Sequence, residues 1–238
     1  MEQILWQAKP TAPKSSALRA AFPATAPVLT GYLCLGAAFG ILLRTAGYGL
    51  PWAFFMSIIC YCGSMQFVGV SLLTAAFDPF QALLISIMVN ARHAFYGLSL
   101  LEKYRGAGLV RPFLIFGLTD ETFSLVSTID PPEGVSGKKF YFWITLLDYL
   151  YWIAGCALGN AVGSLLTFDT TGLDFTLTAL LIVLLLEQVK KKENRAAGVL
   201  GMLCTAVSLA VLGADHFLIP AMILLLLVLL GGRKKLCT

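Results

Sequence analysis

The sequence predicts an all-α fold, a multi-pass integral membrane helix bundle with broken or re-entrant segments, on three observations. The 238 residues are 58% hydrophobic and 13% charged, against about 25% charged in a soluble domain. The apolar residues fall in long, near-uniform runs, LTALLIVLLL and LIPAMILLLLVLL among them, with no alternating polar face to meet water. Two runs carry polar clusters where lipid depth would be greatest, and irregular backbone survives there only if protein or a wet cavity surrounds it. The mean hydropathy of +0.82 agrees, and a soluble fold would have to bury all the runs in one core.

Taken in order, the runs lie at 22 to 43, 50 to 76, 79 to 101, 112 to 128, 140 to 167, 173 to 189, 196 to 213 and 216 to 232. Eight runs need not be eight spans. Positive residues collect on the cytoplasmic side of short loops. Here they collect in the N-terminal arm, at Lys103, Arg105 and Arg111, at Lys138 and Lys139, in KKKENR, and at Arg233, Lys234 and Lys235. Placing all of them inside requires that 112 to 128 does not span, and that part of 50 to 101 re-enters without crossing. Eight full spans with some positive loops outside is the alternative. The resulting organisation is a cytoplasmic N-terminal arm over 1–21, a single transport domain over 22–232, and a cytoplasmic C-terminal tail over 233–238. The first 21 residues lack a short apolar core with a small-residue cleavage site, so no cleaved signal peptide is expected.

The formal charge of +4 sits in short clusters between the runs, which reads as topology and not as a nucleic-acid face. Of the cysteines at 34, 60, 62, 156, 204 and 237, five lie inside apolar runs; no second Cys or His pair stands at metal-site spacing near Cys60 and Cys62. No metal and no cofactor is expected. A short internal echo joins Tyr32, Gly36 and Gly40 to Tyr151, Gly155 and Gly159 at an offset of 119 residues. In both copies the glycines share one helical face and invite close packing of a neighbour; the match does not fix whether the halves are parallel or inverted.

Three loci carry polar groups. In MVNARHAFYGLSL, a helical wheel puts Ser86, Asn90, His93 and Gly97 on one face and Arg92 nearly opposite with Val89, Tyr96 and Ser99. Asn90 and Arg92 therefore serve one site only if the helix unwinds around Ala91; otherwise Arg92 snorkels to the interface and His93 is an interior histidine. In GLTDETFSLVST, Asp120 and Glu121 are adjacent acids, and Gly117, Asp120, Ser124 and Ser127 form a stripe at helical spacing. Two neighbouring carboxylates resist joint ionisation, which suits proton coupling; a structural pair with Arg92, or capping of a half-helix by Thr119 and Asp120, is the competing reading. In CYCGSMQFVG, Gly63 and Ser64 interrupt a helix-forming run and Gln66 supplies an amide; a break there would offer a helix N-terminus to a carboxylate. Asp148 is a lone buried acid without a visible partner.

Together GYLCLGAAFG, GSMQFVG, VNARHAFYGLSL and LTDETFSL, in this order and spacing, resemble the AzlC family of branched-chain amino acid permeases, most specifically through N-x-R-H-x-x-Y-G. The resemblance is strong from Ala26 to Arg111, continues through Phe123, and is mostly hydropathic beyond. It implies export of valine, isoleucine and leucine across a bacterial inner membrane, together with a small AzlD-like multi-pass subunit. Gln66, Asn90, Arg92, His93, Asp120 and Glu121 occupy the family's polar motif positions. The reading of their roles made here is substrate binding by Ser64, Gln66, Asn90 and Arg92, and coupling by His93, Asp120 and Glu121, with Met65, Phe67 and Phe95 as apolar walls. No H-E-x-x-H or nucleophile turn is present, so an enzyme is not expected. The rival classes are a non-transporting subunit that stabilises a partner and a carrier of other small amino acids.

Overall fold

The computed structural model describes residues 16–74, 78–165 and 192–213, with positions 175, 182, 186, 189, 190, 217, 220, 221, 223–225, 227 and 228. The helices are α1 (Ala17–Thr45), α2 (Leu50–Ile59), α3 (Gly63–Thr74), α4 (Pro79–Ser99), α5 (Arg111–Phe116), α6 (Asp120–Thr128), α7 (Gly137–Gly163) and α8 (Lys192–Leu212). The described residues are helical apart from caps, turns and a 3-10 turn at Gly108–Val110. Two compact units divide the chain, Met1–Asp174 and Phe175–Thr238. Among the described residues three helices are long and apolar enough to cross a membrane, Ala17–Thr45, Gly137–Gly163 and Arg195–Leu212. The polar cluster lowers the hydropathy of α4, yet its 21 residues still reach about 30 Å.

α1 opens at Ala17, inside the stretch read from sequence as the arm, because the Ser16 side chain accepts the Arg19 N–H and caps the first turn. It packs along α7 over its whole length, and the repeated glycines are the reason. A Cβ on Gly36 would lie 2.9 Å from the Cys156 nitrogen, and one on Gly155 would lie 2.5 Å from the Tyr32 carbonyl oxygen. Gly159 meets Ala37, Gly40 meets Cys156 and Asn160, and Gly163 meets Ile41 and Arg44. Contacts thus advance together along both chains, so α1 and α7 run parallel, with the two copies of the Y-x-x-x-G-x-x-x-G echo facing each other. Asn160 closes the far end by donating from Nδ2 to the carbonyls of Gly40 (3.2 Å) and Tyr48 (3.0 Å).

Beside this pair, two helical hairpins enter from opposite ends. α2 starts next to the C-terminal end of α1 after a turn through Gly47 (φ 92°), with Pro51 in its first turn. It descends until the Ile58 carbonyl accepts from the Tyr149 hydroxyl. The chain then reverses through Tyr61, whose φ of 36° is the one positive value at a described non-glycine residue. α3 climbs back, packing Phe67 edge-on against Phe39 and bringing the Leu73 carbonyl to the Tyr48 hydroxyl. α4 crosses to the other end, where Leu100 and Tyr104 join a core with Ala21, Val126, Phe140 and Tyr141. From that end α5 rises to Gly117, which lies against Thr145, and α6 returns until Asp130 meets Lys103. The stretches 50 to 74 and 111 to 128 are therefore each paired half-helices that turn back, as the distribution of positive charge predicted. Arg19, Lys103, Arg105, Arg111, Lys138 and Lys139 all fall at the end where the second hairpin opens.

In the second unit, α8 carries an exposed apolar surface that includes Val199, Met202, Leu203 and Val207. Arg195 at its start donates to the Val189 carbonyl. Most of the runs 173 to 189 and 216 to 232 lies outside the described residues, as do 1–15 of the arm and the tail 233–238.

Candidate functional site

The two hairpin tips meet about midway along α1 and α7. Tyr61 of the first tip lies 6.1 Å from Phe116 of the second and 4.7 Å from Tyr149, centroid to centroid. Each tip ends in the N-terminus of a half-helix. α3 begins at Gly63, where a Cβ would sit 2.9 Å from the Trp152 ring, so glycine lets the indole cover the opening turn. α6 begins after Thr119, whose Oγ1 accepts the Thr122 N–H as an N-cap. Unpaired amide groups at both starts favour negative charge.

Arg92 joins the tips. Its Nη1 lies 2.8 Å from Asp120 Oδ2, and its Nη2 donates to Ser64 Oγ at 2.8 Å. Tyr96, one turn on, donates to the other Asp120 oxygen at 2.8 Å. The side chains of Arg92 and Asp120 remain 34% and 23% exposed, so the pair is accessible to a polar ligand and is partly screened. α4 stays regular through Ala91. The helix does not unwind, and Asn90 and Arg92 keep separate faces. Arg92 and Tyr96 share Asp120, whereas the part-buried Asn90 side chain bonds to no described residue. His93 sits beside Cys62 and packs edge-on against Tyr96 at 5.7 Å, with Nδ1 buried and without a partner.

Behind this half-open layer lies a buried one. Gln66, fully buried, accepts the Trp152 indole N–H on Oε1 at 2.6 Å, while its Nε2 has no partner. Its Oε1 therefore positions Trp152, and its Nε2 is the half of the amide that remains unpaired. Tyr32 packs edge-on against the same indole at 5.3 Å and donates to Glu121 Oε2 at 2.9 Å. Its oxygen also meets Thr119 Oγ1, which donates to Thr122 Oγ1, which in turn donates to Asp148 Oδ2 at 2.8 Å. Asp148 thus has a partner that its own helix does not show. The Tyr61 hydroxyl and Asp148 Oδ1 are buried here without hydrogen bonds.

Other expectations are corrected. Gly117, Asp120, Ser124 and Ser127 are not one stripe, because Gly117 caps α5 and the chain turns before α6 starts. Phe95 is 63% exposed and packs against no described aromatic ring, and Phe67 packs against Phe39. Tyr32, Thr119, Thr122 and Trp152 belong to the site although sequence reading assigned them no chemistry. Of these only Thr119, as a cap, carried a local signal.

Comparison with known proteins agrees with this architecture. The family model described as AzlC protein matches residues 27–166, which include α1 from Pro27 onward, both hairpins and α7. A Bacillus subtilis protein named branched-chain amino acid transport protein AzlC is 44% identical over 93% of this chain and 87% of its own length. A Helicobacter pylori membrane protein is 43% identical over 92% of this chain and 96% of its own. The Escherichia coli inner membrane protein YgaZ is 28% identical over 83% and 81%. No solved structure matches. With the hairpins, the Arg92 bridge and the glycine-packed pair inside the matched region, the chain belongs to the AzlC family of membrane proteins.

Proposed function

We propose that this protein is a secondary transporter subunit that exports branched-chain amino acids across a bacterial inner membrane, coupled to protons. The observation that carries the proposal is the meeting of two half-helix N-termini around Arg92, with partnerless buried polar atoms on His93 beside it and on Gln66, Tyr61 and Asp148 in the layer behind. Polar atoms left unpaired at membrane depth are unfavourable unless a ligand or water meets them. The Bacillus relative's name supplies the solute class.

An amino acid brings a carboxylate, an ammonium and, in this class, a branched apolar side chain. The carboxylate takes the place of Asp120 on Arg92 and reaches Ser64 at the start of α3, where helix polarity favours an anion. The released Asp120, or Glu121 next to it, meets the ammonium or a proton. Gln66 gives a neutral hydrogen bond through its Nε2, with Met65 as an apolar wall, and His93 relays protons; Asn90, on a separate face of α4 from Arg92, stands outside this site. Because Arg92 and Asp120 hold the tips of oppositely inserted hairpins, exchange of their pairing changes which end is open. The positive end of the first unit is the cytoplasmic one, in an inner membrane. A small AzlD-like multi-pass subunit completes the transporter, and no nucleic acid takes part.

The test is efflux from cells loaded with a valine-containing dipeptide, with and without this chain and with the partner present throughout. Faster appearance of valine outside is expected. No difference between cells with and without the chain, for valine, leucine, isoleucine or methionine, would refute the reading and leave a subunit whose role is to stabilise its partner, or a carrier of other small amino acids.

A further inference from the structure

Among the polar groups behind Arg92, five form an unbroken line. Glu121 Oε2 accepts from the Tyr32 hydroxyl at 2.9 Å; Tyr32 meets Thr119 at 2.5 Å; Thr119 and Thr122 are 3.1 Å apart; Thr122 donates to Asp148 Oδ2 at 2.8 Å. The line joins three helices, α1, α6 and α7, and closes where the tip of the second hairpin lies against the parallel pair. Thr119, Thr122 and Asp148 are buried, whereas Glu121 is partly open.

Counting hydrogens along it gives an unexpected result. Four contacts need four protons, and the three hydroxyls supply three. With both carboxyls ionised, Tyr32 spends its proton on Glu121, while Thr119 and Thr122 spend theirs toward Asp148. The Tyr32 and Thr119 oxygens are then left facing each other with lone pairs only, between two anions, in a dry site. One added proton repairs this. Placed on Glu121, it lets every group donate toward Asp148; placed on Asp148, it lets every group donate toward Glu121. Both arrangements satisfy all four contacts, and they differ only in which carboxyl is charged.

We infer that Glu121, Tyr32, Thr119, Thr122 and Asp148 form a relay that holds one exchangeable proton shared by the two carboxyls, and that this proton is the one coupled to transport. In one transfer the Glu121 proton passes to the Tyr32 oxygen, the Tyr32 proton to Thr119, that of Thr119 to Thr122, and that of Thr122 to Asp148. Glu121 is left as the carboxylate, and the total of protons is unchanged. The other Asp148 oxygen, Oδ1, has no hydrogen-bond partner and is engaged by no member of the relay. Asp148, read from sequence as an isolated acid, becomes the inner terminus, and Glu121 the outer one. The ionisable groups facing the relay are Tyr61 from the first tip and Asp120 from α6, with Arg92, His93 and Tyr96 of α4 and Cys62 beyond them. Tyr61 makes no hydrogen bond, so its proton fills none of the four contacts.

The inference rests on the transport reading for its purpose, and its test separates the two. Infrared spectra of the purified full chain in lipid, titrated with alkali, report protonated buried carboxyls without any substrate. Wild type is expected to show one. In Glu121→Gln the amide supplies the missing proton to Tyr32, so Asp148 ionises and the signal disappears although Asp148 remains; Asp148→Asn does the same for Glu121. Protonated carboxyl bands that sum to two equivalents or to none in wild type, or survival of the remaining acid's signal in either variant, would overturn the shared proton. In liposomes carrying a pH dye and supplied with valine, Thr122→Val should reduce proton movement roughly tenfold or more, and Thr122→Ser should restore it. Undiminished proton movement in the valine variant would overturn the relay. If wild type moves no valine at all, the branched-chain reading fails, and the infrared result alone decides whether the shared proton exists.

Discussion

Replacing Gly155 by alanine tests the parallel packing of α1 and α7, on which the whole site depends. The new Cβ would stand 2.5 Å from the Tyr32 carbonyl oxygen, 3.2 Å from the Leu33 Cα and 3.3 Å from the Gly36 Cα. All three atoms are backbone, so no side chain can swing aside. The helices must part by about 1 Å to reach ordinary contact. Asn160, already 3.2 Å from the Gly40 carbonyl, would pass beyond hydrogen-bond range. Overpacking of this kind amounts to about 1–3 kcal/mol and the lost bond to about 1 more. That corresponds to a fall in melting temperature of roughly 5–15 °C for a chain of this size. Gly31, on the opposing helix α1, is the control, since nothing lies within 4 Å of a Cβ there; alanine should leave stability unchanged or raise it by about 1 kcal/mol. The assay is thermal unfolding of both purified variants in detergent. Equal melting of Gly155→Ala and Gly31→Ala would refute the close approach and with it the position of Tyr32.

Further outcomes follow from the same geometry. Trp152→Phe removes the donor to Gln66 and leaves both ends of a fully buried amide unpaired, so unfolding should show a loss of about 1–3 kcal/mol, while Trp152→His, which keeps an N–H, should lose less. Thr119→Ala deletes the cap of α6 at about 1 kcal/mol and cuts the relay; transport-linked proton movement should fall further than stability does. Phe95→Ala, at a side chain 63% exposed, should leave valine flux unchanged in liposomes, in contrast to any change at Arg92.

Much of this fold was legible because membranes leave few alternatives. An apolar run with Gly63 and Ser64 inside it, and another with Gly117 ahead of two acids, invited a break, and the positive loops pointed to 112 to 128 and to some part of 50 to 101 as the segments that turn back. Arg92 and the adjacent acids Asp120 and Glu121 suggested an ion pair among the possible readings, but the acid that pairs with Arg92 is set by the fold. Tyr32 was legible only as part of a packing motif: its contacts to Thr119 and Glu121 span 87 and 89 residues of sequence, and a tyrosine in an apolar run carries no sign of what it faces. Asp148 looked solitary for the same reason, since its donor Thr122 sits on a hairpin that only the fold brings across. The stripe from Gly117 to Ser127 failed because helical spacing was applied through a turn. The separate faces of Asn90 and Arg92, by contrast, followed correctly from α4 being regular.

The most direct test of the central claim is counterflow of radiolabelled valine into liposomes that contain the purified chain with its partner, comparing wild type with Arg92→Lys. Lysine keeps the charge but lacks the fork that reaches Asp120 and Ser64 together. Counterflow by wild type, with loss by roughly tenfold or more in the folded lysine variant, is the predicted result. Equal counterflow by both would show that the solute does not pass between the tips that Arg92 joins.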